Sequence, residues 1–180
     1  CKAVGREVSG SDRGYEQPEN QRIIRALRNQ GIAIYPQDGS FAQAGRCDKI
    51  IYSTAIEEDN PDFVAAGDTP RVHRSKMLAE AINLADKTSI AVTGSCGKST
   101  VTAYLAETLF NLGEDVSCLN GGLVKRFISD DFAGNYRPGN GQYFVFEADE
   151  SDKSLVNYHP DYAVILNMGT DHYSKEELIE

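Results

Sequence analysis

Three short segments carry the residues able to do chemistry. The first is Thr93-Gly94-Ser95-Cys96-Gly97-Lys98-Ser99-Thr100. It lies between an apolar run, 89–93, and a stretch with helical apolar spacing that begins at Ser99. Two glycines let the backbone take angles that other residues resist, so loop amides can turn towards the oxygens of a phosphate. The helix behind the loop adds its positive end. Lys98 supplies a cation for the β- and γ-phosphates, and the Ser99 hydroxyl suits Mg²⁺. The spacing departs from the full phosphate-loop pattern, because Val92 stands where the leading glycine belongs. A plain tight turn is the other reading of the two glycines.

The second segment is Glu147-Ala148-Asp149-Glu150-Ser151-Asp152, at the end of an apolar strand pattern over 142–147. In open parallel sheets, ligands bind off the carboxyl ends of strands. Four carboxylates in six residues repel one another, and a cation relieves the repulsion. Alone, the cluster is equally a solvated acidic turn. Beside a phosphate loop it becomes a magnesium partner, with Glu147 best placed. The third segment, Asn167-Met168-Gly169-Thr170-Asp171-His172, follows the strand pattern of 161–167. A lone histidine is more often structural than a ligand. If its strand lies beside the one ending at Glu147, His172 and Glu147 can share a second metal ion.

Positioning these segments requires alternating strands and helices. The pattern predicts a strand ending near Ser9, a helix over 18–30 with Ile23, Ile24 and Leu27 inward, and a stop at Gly31. Strands follow at 32–35 and 49–53. Asn60-Pro61 opens a short helix closed by Gly67. A strand at 71–73 leads into a helix over about 74–85 with Met77, Leu78, Ala81 and Ile82 inward. Asp86-Lys87-Thr88 marks a boundary, after which the pattern restarts. A strand at 89–93, a helix over 99–112 ended by Gly113, a strand at 115–119, a long Gly/Asn/Asp-rich loop over 120–141, and strands at 142–147 and 161–167 complete it. Residues 174–180 begin a further helix. The fold class is α/β: a Rossmann-like parallel-sheet domain over 1–86 followed by a phosphate-loop ATPase domain over 87–180, both incomplete.

The 180 residues carry a net charge of −9. Nucleic-acid binding is disfavoured, since phosphate backbones call for a basic surface. No apolar stretch reaches bilayer-spanning length and no signal sequence is apparent, so the expectation is a cytoplasmic protein without membrane insertion. Cys1, Cys47, Cys96 and Cys118 are scattered without metal-ligand pairing and read as reduced thiols.

Taken together, in this order and at these separations, the three segments resemble the central domain of the Mur ligases. Within that family they are most similar to the branch that joins L-alanine to UDP-N-acetylmuramate. Val8-Ser-Gly-Ser-Asp12 resembles the end of the family's second strand. Ser53-Thr-Ala-Ile56 with Asn60-Pro61 resembles its Ser-x-Ala-Ile…Asn-Pro segment, and 74–80 resembles the helix closing its N-terminal domain. The resemblance implies an ATP-dependent ligase of peptidoglycan precursor synthesis. Such an enzyme couples an amino acid to the carboxylate of a UDP-sugar through an acyl phosphate, using ATP and Mg²⁺. It implies that Gly94, Ser95, Cys96, Gly97, Lys98, Ser99 and Thr100 surround the ATP phosphates. It places one Mg²⁺ on Ser99 and Glu147 and a second on Glu147 and His172, and sets Ser11, Asp12 and Ser53 against the UDP substrate. Lys98, Glu147 and His172 are the implied catalytic set.

Three departures stand out. Cys96-Gly-Lys-Ser99 replaces the family's His-Gly-Lys-Thr, which keeps the metal-binding hydroxyl. The family's helix-opening Arg appears as His73-Arg74. The glycine-rich first turn and the C-terminal domain are not in the sequence, so the expectation is a fragment that is inactive alone. Alternatives are a paralogous ligase using another carboxylate or peptide, a folate polyglutamate-type ligase, and a nucleotide-binding module without turnover. The segment before Ala85 argues against the folate type.

Overall fold

The computed structural model describes residues 5–43, 45–149 and 154–169, and the chain divides into two units, Cys1–Met77 with Ser129–Ala133, and Leu78–Ile128 with Gly134–Glu180. In the first, β1 (Ser9–Asp12) runs parallel to β2 (Ala33–Pro36), with Ser9 opposite Ala33 and Asp12 opposite Pro36. The sequence pattern predicts a strand ending near Ser9, whereas β1 begins there. Ser, Gly and Asp are poor strand formers, and pairing with β2 alone makes this segment extended. A 3₁₀ turn at Pro18–Asn20 leads into α1 (Gln21–Asn29). Ile24 and Ala26 are buried, but Ile23 faces outward, 39 % exposed, so the expected inward trio is not formed. Gly31, at φ +73°, reverses the chain after α1, a left-handed conformation that glycine takes without steric cost.

A second parallel pair joins β3 (Ile50–Tyr52) to β4 (Arg71–His73). Between them lies α2 (Pro61–Ala66), whose first turn is capped as predicted: the Asn60 side chain accepts from the Asp62 amide at 3.0 Å. Among the described residues, these four strands form two separate parallel pairs rather than one sheet. α3 (Arg74–Leu84) follows β4 directly.

The second unit is built on a five-stranded sheet in the order β7-β6-β8-β5-β9. Its members are β5 (Thr88–Thr93), β6 (Ser117–Leu119), β7 (Tyr136–Arg137), β8 (Tyr143–Glu147) and β9 (Tyr162–Ile165), and α4 (Lys98–Asn111) connects β5 to β6. Alternate residues of β5 and β8 enter two different cores. Val92 and Val145 join Val116, Cys118 and Ala106 of α4. Ala91, Phe144 and Phe146 join Ile82 and Ala148. Burial of both faces explains why these strands read as continuous apolar runs rather than alternating ones. Each of the valine, isoleucine and phenylalanine side chains contributes about 1.5–3 kcal/mol by leaving water.

Two expectations change here. The 120–141 loop is not structureless. It holds a 3₁₀ turn at Lys125–Phe127 and the strand β7, which runs antiparallel to β6 and makes the sheet mixed. The Arg137 guanidinium stacks on Phe110 at 4.9 Å and on buried Phe127 at 5.6 Å, which anchors the loop to α4. In addition, β9 does not lie beside β8. Both edges of β8 are already taken, by β5 and β6, so β9 pairs with the free edge of β5. Asp161 fixes that pairing at its start: its carboxylate accepts from the Ser89 amide at 2.7 Å and the Ser89 hydroxyl at 2.8 Å. These two bonds, the backbone one foremost, hold the Asp161 carboxyl below its ordinary range.

Candidate functional site

Because β5 lies between β8 and β9, the loop leaving its carboxyl end is flanked by the ends of both neighbours. Val92 is paired with Glu147, the last residue of β8, and Thr93 with Ile165, the last of β9. Register therefore carries Glu147 to one side of the loop and Asn167 to the other. An open cleft of about 390 Å³ lies there, lined by Ser95, Gly97, Lys98, Ser99, Thr100, Glu147 and Asp149.

Gly97 sits at φ +87° and forms the N-cap of α4, which begins at Lys98, one residue earlier than expected. The first main-chain bond of this helix runs from the Val101 amide to the Gly97 carbonyl at 2.9 Å. The amides of Lys98, Ser99 and Thr100 precede it and have no intrahelical acceptor, the usual state of a helix's first turn and a natural anion-binding position. The Lys98 ammonium donates to the Gly94 carbonyl at 2.8 Å and stands 3.7 Å from an Asp149 carboxylate oxygen. The cation is thus folded back over the loop it is expected to serve.

Glu147 is held from two directions. The Ser99 hydroxyl donates to Oε1 at 3.0 Å and the Gly121 amide donates to Oε2 at 2.7 Å. A Cβ on Gly121 would stand only 2.8 Å from Oε2, so any side chain here would push the carboxylate aside. Nothing local marks Gly121 within the 120–141 loop, because its partner lies 26 residues away. The metal-binding expectation fits the donor set. A serine hydroxyl and one carboxylate converge beside the N-terminal end of α4, and Mg²⁺ commonly takes one or two protein oxygens, filling its octahedron with water and phosphate. Among the described residues, no three His, Cys, Asp or Glu side chains converge as a self-sufficient metal cage. Asp149 joins Glu147 in the cleft. Glu150, Ser151, Asp152, Asp171 and His172 lie outside the described residues, and with them the expected second metal position.

The loop departs from expectation at its tip. The amides of Ser95 and Cys96, expected among the phosphate donors, are turned onto Asn167. Cys96 does not line the cleft and its side chain is exposed. Cys118, by contrast, is buried on β6 in the core shared with Ala106, and burial pushes its thiol up to about 12.

The three residues expected at the UDP substrate belong to the first unit, at the ends of two different strands. The Ser11 hydroxyl is committed to the buried carboxylate of Asp62, whose other oxygen accepts from the Gly39 amide at 2.8 Å. Asp12 accepts from the Gly14 amide at 2.6 Å and lines a cleft of about 660 Å³ with Arg13, Tyr15, Gln37 and Asp38 among others. Ser11 and Ser53 do not line that cleft. Asp62 had no signal in the sequence beyond its place after a helix cap.

Comparison with known proteins matches this layout. The profile described as Mur ligase middle domain matches residues 92–177, and that described as Mur ligase family, catalytic domain, matches residues 2–85. The chain belongs to the Mur ligase family. This Mur ligase chain is 39% identical over 173 residues to the UDP-N-acetylmuramate–L-alanine ligase of Synechococcus sp. (strain RCC307), covering 92% of the chain and 34% of that relative. The crystal structure of UDP-N-acetylmuramate-alanine ligase from Thermotoga maritima superposes with a TM-score of 0.76 at 32% identity, over 95% of this chain and 38% of that one. A murein peptide ligase from Psychrobacter arcticus 273-4 gives a TM-score of 0.71 at 25% identity, over 94% and 39% of the two chains. The chain spans about a third of the length of the curated relatives it matches. No described helix is long and apolar enough to cross a membrane.

Proposed function

We propose that this chain is the substrate-binding and ATP-binding part of a cytoplasmic, ATP-dependent acid–amino-acid ligase that joins L-alanine to the carboxylate of UDP-N-acetylmuramate. Residues 1–86 meet the UDP portion and residues 87–180 hold ATP. The observation that carries the reading is the convergence of the Lys98 ammonium, the Ser99 hydroxyl and the Glu147 carboxylate on one cleft at the open end of α4. The identity to an L-alanine-adding relative, 39%, supports that amino acid over a peptide.

A carboxylate is a poor electrophile at neutral pH. Its activation moves the γ-phosphoryl group of ATP onto a carboxylate oxygen and releases ADP. The amine then forms the C–N bond as phosphate departs with the C–O electron pair and the amine gives up a proton. Phosphoryl transfer is catalysed mainly by positioning and charge stabilisation, and this chain's residues supply both. The amides of Lys98, Ser99 and Thr100 grip phosphate oxygens. The Lys98 side chain leaves Gly94 and Asp149 to neutralise the β- and γ-phosphates. Ser99 and Glu147 hold Mg²⁺, which supplies Lewis-acid charge neutralisation when bound. Gly121 keeps Glu147 turned to that task. His172 is proposed as the second metal's ligand together with Glu147.

The test uses the full-length protein and measures phosphate release from ATP. Release should require both a UDP-sugar carboxylate and an amino acid. Strong ATP hydrolysis with neither present would overturn the ligase reading. Turnover with a short peptide but not with L-alanine would assign the paralogous activity instead.

A further inference from the structure

We propose that Asn167 is a positioning residue for the nucleotide, resting on the ATP-binding reading above: its side-chain amide clamps the tip of the phosphate loop in the shape that binds, before any nucleotide arrives. Asn167 follows the end of β9, whose pairing with β5 continues one step further as the Leu166 amide donates to the Thr93 carbonyl at 3.0 Å. The side chain then engages Cys96 at both its peptide groups. The Cys96 amide donates to Oδ1 at 2.9 Å, and Nδ2 donates to the Cys96 carbonyl at 2.9 Å. One amide side chain thereby stands in for a neighbouring strand. On either side, the Ser95 amide donates to the Asn167 carbonyl at 3.3 Å and the Gly169 amide donates to the Ser95 hydroxyl at 2.7 Å.

Four bonds therefore tie residues 95–96 to residues 167–169. A Cβ at Gly94 would stand 3.0 Å from both Asn167 N and Asn167 O, and Gly94 is at φ +135°, so the close approach depends on that glycine as well. The consequence is a division of labour along the loop. Ser95 and Cys96 give their amides to the clamp, and phosphate is left to the amides of Lys98, Ser99 and Thr100. A free loop of this composition would lose backbone freedom when ATP bound, which weakens binding. The clamp imposes that order on folding instead.

The test compares the full-length protein with Asn167→Ala and Asn167→Gln, reading backbone amide exchange without nucleotide and ATP affinity by calorimetry. In the unsubstituted protein, the Cys96 amide should be protected without ATP. In Asn167→Ala that protection should disappear while β5 and β8 amides keep theirs, and the Kd for ATP should rise roughly tenfold, the expected effect of losing two modest hydrogen bonds. Asn167 is exposed, so its truncation opens no core cavity. Asn167→Gln carries the same amide one methylene too far and should behave like Asn167→Ala, with no change in charge. Fast Cys96 exchange in the unsubstituted protein without ATP would refute the clamp. Lost protection with unchanged ATP affinity in both variants would refute the positioning role. Absence of ATP binding by the unsubstituted protein would refute the nucleotide reading itself, a result the exchange measurement on nucleotide-free protein keeps separate.

Discussion

Gly121→Ala perturbs the candidate metal position without touching a residue that would bind the ion. The added methyl would stand 2.8 Å from Glu147 Oε2 and 3.1 Å from both Cδ and Oε1, where ordinary contact begins near 3.4 Å. The carboxylate must therefore withdraw by roughly 0.6 Å, the difference between the shortest of these distances and that limit. Gly121 does not need a left-handed backbone, so alanine brings a steric push rather than main-chain strain. The push breaks the bond from the Gly121 amide to Oε2 and draws Oε1 away from Ser99. A hydrogen bond to a charged acceptor contributes about 1.5–3 kcal/mol, so Mg²⁺-dependent ATP binding should weaken by roughly ten- to a hundredfold. Calorimetric titration of ATP with and without Mg²⁺ reads this directly. Binding without Mg²⁺ should change little, because Lys98 and the helix amides are untouched. Equal affinities for Mg²⁺-ATP in the two proteins, with the fold intact, would refute the assignment of Glu147 as the metal-positioning carboxylate.

Three further outcomes are expected. Lys98→Ala should remove the nucleotide-dependent rise in Tm, which in the unsubstituted protein at a hundredfold excess over Kd should be about 5–10 °C; a retained shift would take Lys98 out of the site. Phe146→Ala empties a fully buried position that contacts Phe144 and Tyr158 edge-on and should cost about 3–5 kcal/mol in urea unfolding, with a loss under about 1 kcal/mol counting against the two-sided core. The Asp161 carboxyl, lowered in the folded state by the Ser89 amide and hydroxyl, contributes stability present above its unfolded value near 3.8 and lost as pH falls through the lower folded value. Asp161→Asn should therefore flatten the decline of Tm between about pH 5 and about pH 2, and an unchanged acid limb would refute the role of this carboxylate in fixing β9.

The sequence by itself determined the local pieces. Gly94, Gly97, Lys98 and Ser99 between a buried strand and a helix are enough to mark a strand–loop–helix turn of the kind that suits a phosphate, because loop conformation and helix ends are short-range properties. Asn60-Pro61 likewise announced α2. Glu147 was legible as a carboxylate at a strand end, and its nearness to the loop was an inference from strand topology in general.

Only the tertiary structure decided which ends meet. β9 takes the free edge of β5 because β8 is already paired on both sides, and no local pattern records which edges are occupied. That placement brings Asn167 to the loop tip and turns the Ser95 and Cys96 amides onto it. Gly121 reaches Glu147 across 26 residues because β6, which precedes it, pairs with β8. The strand β1 shows the other side of this: its Ser-Gly-Ser-Asp sequence has no extended preference of its own and becomes a strand through the partner it meets. Propensity acts over a few residues, whereas hydrogen-bond pairing between distant segments is settled when the whole sheet closes on its core.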